Sequence, residues 1–289
     1  MLEKAELTLI IMLSKTKKVI TTHLIVLCSV ASRKLFYSIA WRVGTLSLQF
    51  VPPAEGGGME IFMNEKKEVV LVCENLVKTY ANSDIETKVL KGINLKIYKG
   101  SINLIYGKSG SGKTTLLNLL ATLDKVTSGS IYLNGNAYQN LSEGQLSKLR
   151  GNRFGFVFQA YNLIENISVK DNIYCPAYIN GKEIDRSYYE FLIETLGISN
   201  LQAKTPKQLS GGEQQRVAIA RAMILKPDII FADEPTGNLD SENSRQIMQL
   251  FRKLNKEYNT TFIIVSHDEN LVEQGDNVIL LKDGVVNEN

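Results

Sequence analysis

The sequence predicts an α/β fold in which a parallel sheet is flanked by helices. Three apolar runs end in chemically distinctive segments: Ile102–Tyr106 precedes a glycine-rich loop, residues 229–232 precede two carboxylates, and Thr261–Ser266 precedes a histidine. A helical pattern follows the second run, at Ser241–Tyr258. Because the carboxyl ends of parallel strands meet at one edge of a sheet, we expect these segments to form one site.

The glycine-rich loop reads GKSGSGKT from Gly107 to Thr114 and leads into a predicted helix at 115–121. Its glycines and serines let backbone N–H groups surround a polyphosphate, and the positive end of the helix dipole faces the same anion. Lys113 would reach the β- and γ-phosphates, and the Thr114 hydroxyl would bind Mg²⁺. The alternative is a glycine-rich turn without a ligand. The loop residues assigned to nucleotide binding are Gly107, Lys108, Ser109, Gly110, Ser111, Gly112, Lys113, Thr114 and Thr115.

The second and third strand ends carry groups suited to hydrolysis. Asp233 could hold Mg²⁺ through water, and Glu234 could polarise the attacking water as a general base. A lone histidine usually has a structural role, but His267 stands where a γ-phosphate sensor would be needed. We therefore assign catalysis to Glu234, His267 and Lys113.

Three further positions each have a structural alternative. Tyr80 could stack on adenine or could simply pack. Gln159, after the predicted strand Phe154–Phe158, could reach the metal or its water, or could bond to the backbone. Asp240 lies in a turn beside the acidic strand end and could also cap the helix that follows.

A second anion site is predicted where the segment LSGGEQQR, residues 209–216, opens a helix. Ser210 and the two glycines leave unpaired N–H groups at the helix N-terminus. The alternative is an ordinary serine-capped helix. Two glycines argue against that alternative, because they cost helix stability and are expected to offer no packing. The nucleotide-binding residues assigned here are Ser210, Gly211, Gly212 and Glu213.

In their order along the chain, these motifs resemble the nucleotide-binding subunit of an ABC transporter. The resemblance covers about residues 69–289, and LSGGEQ is its most specific part. It implies a P-loop NTPase (RecA-like) core, a small antiparallel β subdomain from about 69–99 and 130–133, and an α-helical insert at about 160–208. Lys113 and Ser210 are 97 positions apart, which fits a transporter-type insert and not the long coiled coil of chromosome-maintenance relatives.

The resemblance also implies a mechanism and partners. Two copies would close head to tail, with ATP between the glycine-rich loop of one and the LSGGEQ helix of the other. Thr114, Gln159 and Asp233 would hold Mg²⁺. A separate integral membrane permease would use the energy, coupled through Gln159 and the region 161–172.

Segments 155–163 and 236–240 resemble the lipoprotein-releasing, macrolide and antimicrobial-peptide export group. The alternative is ATP-driven mechanical signalling without net transport, as in cell-division or peptide-sensing relatives. A translation-type ABC protein would carry two ATPase domains, whereas one glycine-rich loop of this kind is found. Contacts with a transported substrate would lie in the separate membrane subunit.

Composition limits partners and location. The net charge is +3, but residues 1–58 hold seven of the 33 basic and three of the 30 acidic residues, so the main body is almost neutral and no nucleic acid partner is expected. Three scattered cysteines suit a reducing cytosol. No run of 18 apolar residues occurs, so no membrane-spanning helix is predicted. The resemblance to an ABC transporter subunit implies a peripheral protein on the cytoplasmic face of the plasma (inner) membrane.

Residues 1–68 are predicted to be an N-terminal extension of the domain at 69–289. Residues 1–58 contain the only tryptophan, Trp41, and end in PPAEGGG just before Met59. Three interpretations stay open: a basic, apolar anchor on the membrane surface, a disordered tail, or a segment that is not normally translated. In the third, the chain would start at Met59 or Met63.

Overall fold

The computed structural model describes residues 68–82 and 85–287, together with five short strands in the N-terminal region. The chain divides into two compact units, Met1–Lys66 and Lys67–Asn289. In the first unit, two strands form an antiparallel pair and three form an antiparallel sheet. They are β1 (Ile10–Met12), β2 (His23–Ile25), β3 (Arg42–Val43), β4 (Leu46–Val51) and β5 (Glu60–Glu65). The three interpretations of residues 1–58 were a membrane anchor, a disordered tail and an untranslated segment. Apart from the strands just named, the residues they concern lie outside the described ones.

The second unit contains all the predicted motifs. Its strands are β6 (Val69–Asn82), β7 (Ile85–Tyr98), β8 (Ile102–Tyr106), β9 (Ser128–Leu133), β10 (Asn136–Ala137), β11 (Phe154–Phe158), β12 (Ile229–Asp233), β13 (Thr261–Ser266), β14 (Asn277–Lys282) and β15 (Val285–Asn287). Its helices are α1 (Lys113–Leu120), α2 (Glu143–Arg153), α3 (Val169–Ile179), α4 (Arg186–Thr195), α5 (Gly211–Met223) and α6 (Ser241–Tyr258). In the part of the chain that the structure describes, none of the helices has the length and apolarity needed to cross a membrane.

The central sheet has the strand order β11-β12-β13-β8-β14-β15. Its first five strands are parallel, and β15 pairs antiparallel with β14. Successive residues of one strand belong to different apolar clusters on the two faces: Leu104 packs into one and Ile105 into the other. Burial on both faces explains why these strands read as continuous apolar runs, and the predicted parallel sheet is confirmed.

The smaller sheet is antiparallel, with the order β10-β9-β6-β7. It confirms the predicted antiparallel subdomain. Its strand β6 is long, because it continues from Val69 to Asn82 and includes Tyr80. The reason is its partner β7, which is equally long. Tyr80 of β6 lies opposite Thr87 of β7, and the pairing continues past this point.

The predicted helical insert contains α3 and α4, each with a side-chain cap. The Ser168 hydroxyl accepts from the N–H of Asp171, and the Asp185 carboxylate accepts from the N–H of Tyr188. The fully buried Asn172 side chain of α3 exchanges hydrogen bonds with the N–H and C=O of Ile164, ahead of the helix, at 2.8 and 3.0 Å. These bonds fix the loop that enters the insert, so its path does not depend on apolar packing alone.

A buried polar residue in β8 ties three strands of the central sheet together. The Asn103 amide donates to the carbonyl of Phe262 on β13 and to the Ser101 hydroxyl, both at 2.9 Å. Its oxygen accepts from the Asn277 amide on β14 at 2.8 Å. Asn103 is fully buried, so each of these bonds satisfies a polar group that water does not reach.

We expect Asn103→Leu to lower the free energy of unfolding by about 1–3 kcal/mol, because a residue of similar size removes the hydrogen bonds and leaves buried partners unpaired. Urea unfolding at neutral pH measures the change. The control is Asn136→Leu at an exposed position of β10, which should shift stability by less than about 0.5 kcal/mol. Equal effects of the two substitutions would contradict the bridging role of Asn103.

Candidate functional site

The candidate site lies along the carboxyl edge of the parallel sheet. Neighbouring strands β11, β12, β13 and β8 end next to one another, so the segments that follow them meet at this edge. These segments begin at Gln159, Glu234, His267 and Gly107 respectively. Residues separated by more than a hundred positions are therefore brought together by strand order alone.

The glycine-rich loop has a backbone that side chains would not permit. Gly110 and Gly112 have φ of 78° and 101°, in the left-handed region that favours glycine. A Cβ on Gly107 would stand 2.1 Å from the carbonyl oxygen of Leu281 in β14, which leaves no room for any side chain. The loop is thus held against the sheet, and α1 begins directly after it at Lys113.

Two side chains of the loop are buried inside it. The Lys113 ammonium donates to the carbonyls of Gly107 and Lys108, at 2.8 and 3.2 Å, with only 7% of the residue exposed. Within the described residues, the buried hydroxyl of Ser111 has no hydrogen-bond partner. A buried cation and an unsatisfied hydroxyl inside a ring of backbone groups fit a bound anion.

Thr114 and Asp233 bring α1 and β12 into contact. The Thr114 hydroxyl donates to the Asp233 carboxylate at 3.1 Å. Burial raises the pKa of Asp233 above its ordinary value and the Glu234 charge adds to the shift, whereas the Thr114 hydrogen bond and Lys113 oppose it. Burial therefore removes part of the water that would stabilise the ionised carboxylate, and a bound cation would provide stabilisation in its place. Carboxylate and hydroxyl oxygens are ligands that Mg²⁺ prefers.

Glu234 and His267 form a pair across two adjacent strand ends. The Nδ1 atom of His267 lies 2.7 Å from Oε2 of Glu234. The Glu234 side chain is 18% exposed and that of His267 is 66% exposed, so the histidine faces solvent while the carboxylate lies deeper. Glu234 also has a φ of 46°, a left-handed backbone that costs a non-glycine residue about 1–2 kcal/mol. Such strain at a strand end points to a functional position.

Gln159 is held by the turn that follows the acidic strand end. The Asn238 amide donates to the Gln159 carbonyl at 2.9 Å, and the Gln159 amide donates to the Asn238 side-chain oxygen at 3.3 Å. A Cβ on Gly237 would stand 2.8 Å from the Gln159 amide nitrogen. The exposed Gln159 side chain therefore bonds to another side chain and, among the described residues, to no backbone group, so the alternative of a strand-end bond to the backbone is not realised.

Tyr80 is 42% exposed on β6, and its ring is positioned by two charged residues. Its hydroxyl donates to Asp124 at 2.7 Å, and Asp124 also accepts from the Lys78 ammonium at 2.8 Å. The same ammonium lies 4.6 Å from the ring centroid. Burial first and Asp124 second raise the pKa of Tyr80, while the hydroxyl of Thr115 opposes the shift. The ring is thus anchored beside the end of the glycine-rich loop.

The tip of α5 carries a complete capping box. Ser210 accepts from the N–H of Glu213 at 3.3 Å, and the Glu213 carboxylate accepts from the N–H of Ser210 at 2.7 Å. This second bond lowers the pKa of Glu213. The capping alternative is therefore realised. The expectation that both glycines offer no packing is wrong for Gly211, because a Cβ there would stand 2.9 Å from the Tyr161 hydroxyl.

The remaining predicted residue, Asp240, caps α6. Its carboxylate accepts from the N–H and the side-chain amide of Asn243, at 2.8 and 2.7 Å, and these bonds lower its pKa. Among the described residues, no hydrogen bond joins the α5 tip, residues 210–213, to the glycine-rich loop of the same chain. The structure thus gathers the strand-end residues at one edge of the sheet, while the α5 tip forms no hydrogen bond to the glycine-rich loop within the described part of the chain.

Sequence reasoning missed Lys78, Asp124 and Arg221, which hold residues of this site. It used Asn238 only as part of a motif and gave it no role in the site. Lys78 and Asp124 position Tyr80, Asn238 binds the carbonyl of Gln159, and Arg221 binds the carbonyl of Tyr161. Apart from the contact of Lys78 with the Tyr80 ring, two positions along the chain, these contacts join residues that are 44 to 79 positions apart. The sequence offers one signal for them, since Asn238 and Asp124 lie in turns next to predicted strand and helix ends.

Comparison with known proteins gives consistent results. The family described as ABC transporter matches residues 90–237. A lipoprotein-releasing system ATP-binding protein, LolD, of Blochmanniella floridana is 41% identical over 75% of this chain and 93% of its own length. The macrolide export ATP-binding/permease protein MacB of Syntrophobacter fumaroxidans is 41% identical over 74% of this chain, which covers 30% of that longer protein.

Among solved structures, a dimeric post-hydrolysis state of the ATP-binding cassette MJ0796 bound to ADP and Pi superimposes with a TM-score of 0.68. It is 39% identical and covers 75% of this chain and 97% of that one. The fold, the arrangement of the strand-end segments and these similarities lead to one assignment. The chain belongs to the ABC transporter family.

Proposed function

We propose that two copies of this chain bind head to tail and hydrolyse two molecules of ATP between them, and that a separate permease uses the energy for export. As a member of its family, the chain is an ATP-binding and ATP-hydrolysing subunit that works with a membrane permease. The observation that carries the proposal is the edge of the central sheet, where Lys113, Asp233, Glu234 and His267 meet.

The glycine-rich loop would bind the triphosphate through its backbone N–H groups and the N-terminus of α1. In this binding mode the Lys113 ammonium exchanges its carbonyl partners for phosphate oxygens, and the Ser111 hydroxyl gains a partner. Lys108, Ser109 and Thr115 complete the loop. Tyr80 would stack on the adenine ring, since its hydroxyl anchor leaves part of the ring exposed.

The residues that would hold Mg²⁺ are Thr114, Asp233 and Gln159. The first two already share a hydrogen bond and are oxygen donors of the kind that this cation requires. When bound, Mg²⁺ neutralises charge on the β- and γ-phosphate oxygens. The raised pKa of Asp233 fits this assignment, because a buried carboxylate without enough counter-charge favours a cation partner.

Glu234 would act on the attacking water. The water oxygen forms a bond to the γ-phosphorus while the bond to the oxygen that bridges the β- and γ-phosphates breaks, and ADP leaves with that electron pair. Glu234 accepts the proton of the water, and His267, 2.7 Å from this carboxylate, fixes its orientation and reaches the γ-phosphate. Lys113 compensates the charge on the transferred group.

A second copy would complete the site with its α5 tip. The free N–H groups of Gly211 and Gly212 lie at a helix N-terminus, and the cap formed by Ser210 and Glu213 leaves them available to an anion. Since the tip makes no hydrogen bond to its own glycine-rich loop among the described residues, the proposed ligand is the triphosphate held by the partner. Asp240, at the start of α6, would lie at the junction of the two copies.

The cargo proposed is a lipoprotein, a peptide or a drug. The support is the similarity to proteins named as lipoprotein-releasing and macrolide-export ATP-binding proteins. The chain would act at the cytoplasmic face of the plasma (inner) membrane, bound to its permease. Copurification with a membrane protein, followed by identification of that protein, tests this part of the proposal.

We expect Glu234→Gln to bind ATP and to dimerise in its presence, while kcat falls by about 10²–10⁴-fold, because the amide accepts no proton from water. Phosphate release and size-exclusion chromatography with ATP measure the two effects. The control Glu257→Gln changes an exposed carboxylate of α6 and should leave kcat unchanged. Normal turnover by Glu234→Gln would exclude this carboxylate as the base.

Asp233→Asn should stabilise the nucleotide-free protein at pH 7–8 and abolish Mg²⁺-dependent ATP binding. Folding raises the pKa of Asp233, so the ionised group destabilises the fold at neutral pH, and this penalty disappears as the pH falls below the folded pKa. The melting temperatures of the two proteins should therefore converge at about pH 4, near the ordinary pKa of aspartate. A mutant that melts lower than the parent at pH 8 would contradict the cause given for the shift.

Ser210→Ala separates capping from nucleotide binding. Ser142 caps α2 with the same type of box, closed by Gln145, and is a matched control. Both Ser→Ala variants should lose about 1 kcal/mol of stability. Only Ser210→Ala should weaken ATP-dependent dimerisation of the Glu234→Gln protein, measured by analytical ultracentrifugation. If the two variants dimerise alike, Ser210 serves only as a cap.

A further inference from the structure

A pair of hydrogen bonds joins α5 to the turn that carries Gln159. The guanidinium of Arg221, in the last turns of α5, donates to two successive carbonyl oxygens of that turn. Its Nη1 atom lies 2.6 Å from the oxygen of Asn162 and its Nη2 atom lies 2.8 Å from the oxygen of Tyr161. Burial lowers the pKa of Arg221 below its ordinary value, as expected for a guanidinium partly removed from water.

The turn that Arg221 holds is strained. Tyr161 and Asn162 have φ of 61° and 50°, so two successive non-glycine residues adopt the left-handed backbone. Such residues persist only where surrounding contacts determine their conformation. Inside the turn, the N–H of Asn162 donates to the carbonyl of Ala160 at 2.6 Å. The paired hydrogen bonds from Arg221 supply the outside contact, because a guanidinium presents its N–H groups in a fixed fork.

The same turn also contacts the other end of α5. The Tyr161 hydroxyl lies 2.9 Å from the place where a Cβ on Gly211 would stand, so Tyr161 packs against the helix tip. Gln159, two residues before Tyr161, is bound in turn to Asn238 after the acidic strand end. A chain of direct contacts therefore runs from Asn238 through the Gln159 turn to both ends of α5.

We infer that Arg221 is a positioning residue that makes the Gln159 turn and α5 move as one body. This inference rests on the proposed function. When Gln159 engages the nucleotide of its own chain, the clamp orients the α5 tip toward the nucleotide of the partner. Loss of the clamp would leave ATP binding by one chain intact and would impair the closure of two.

The test uses the full chain with Glu234→Gln as the parent. Adding Arg221→Gln removes the charged fork and should weaken ATP-dependent dimerisation by about tenfold or more. The affinity of the monomer for a fluorescent ATP analogue should stay within about twofold of the parent, since the glycine-rich loop is untouched. Arg221→Lys keeps the charge and one hydrogen bond, and should recover part of the dimerisation.

Arg216 provides the matched control. It lies on the same helix and also donates through both Nη atoms, to the carbonyl of Leu196 at 3.2 Å and to the side chain of Gln246 at 2.8 Å. Neither of these hydrogen bonds goes to the Gln159 turn. Arg216→Gln should leave the ATP-dependent dimerisation constant closer to that of the parent. If Arg221→Gln dimerises like the parent, or if the two variants lose dimerisation and ATP affinity together, the inference is overturned.

A second readout does not need the dimer. Hydrogen exchange of the nucleotide-free monomer should rise by about tenfold or more at residues 158–162 in Arg221→Gln and stay unchanged there in Arg216→Gln. Unchanged exchange in Arg221→Gln would also overturn the inference. A parent that exchanges normally but never dimerises with ATP would instead contradict the proposed function, so the two failures are distinguishable.

Discussion

The parallel pairing of β11, β12, β13 and β8 is the constraint on which the site depends. It places the ends of four strands side by side, and every catalytic candidate follows one of those ends. The strands are fixed by burial on both faces, because apolar side chains of successive residues enter different clusters. The core therefore determines the geometry of the site, although none of the core residues would touch nucleotide.

Several features of the site cost folding free energy when no nucleotide is bound, and this fits a binding role. Burial raises the pKa of Asp233, Lys113 is buried, and Glu234 adopts a left-handed backbone. Each feature costs folding free energy in the protein without nucleotide. A triphosphate would supply negative charge to Lys113, and its cation would supply positive charge to Asp233. Ligand binding would therefore stabilise the folded protein.

The sequence predicted the parts of the fold that burial and backbone chemistry determine. Apolar runs located β8, β12 and β13, and glycines located the loop that begins at Gly107. The extent of β6 was not predictable, because it depends on its partner β7 and not on its own composition. The same limit applies to Arg221, since nothing in a helical arginine reveals that its partners are the carbonyls of a turn about sixty residues earlier.

Glycine in the α5 tip shows how one residue type serves two constraints. The sequence suggested anion binding for both glycines, and that assignment stays a prediction. The structure adds that Gly211 leaves space for the Tyr161 hydroxyl. The lack of a side chain at this position therefore serves packing as well as access to the helix N–H groups.

The central claim is that each nucleotide is bound by the loop of one copy and the α5 tip of another. Mixing Lys113→Ala with Gly212→Asp tests it most directly, because each variant alone has two defective sites. A head-to-tail heterodimer has one intact site, so ATPase activity should return to roughly a quarter of the parent value at random pairing. A mixture no more active than the two variants measured separately would contradict the account.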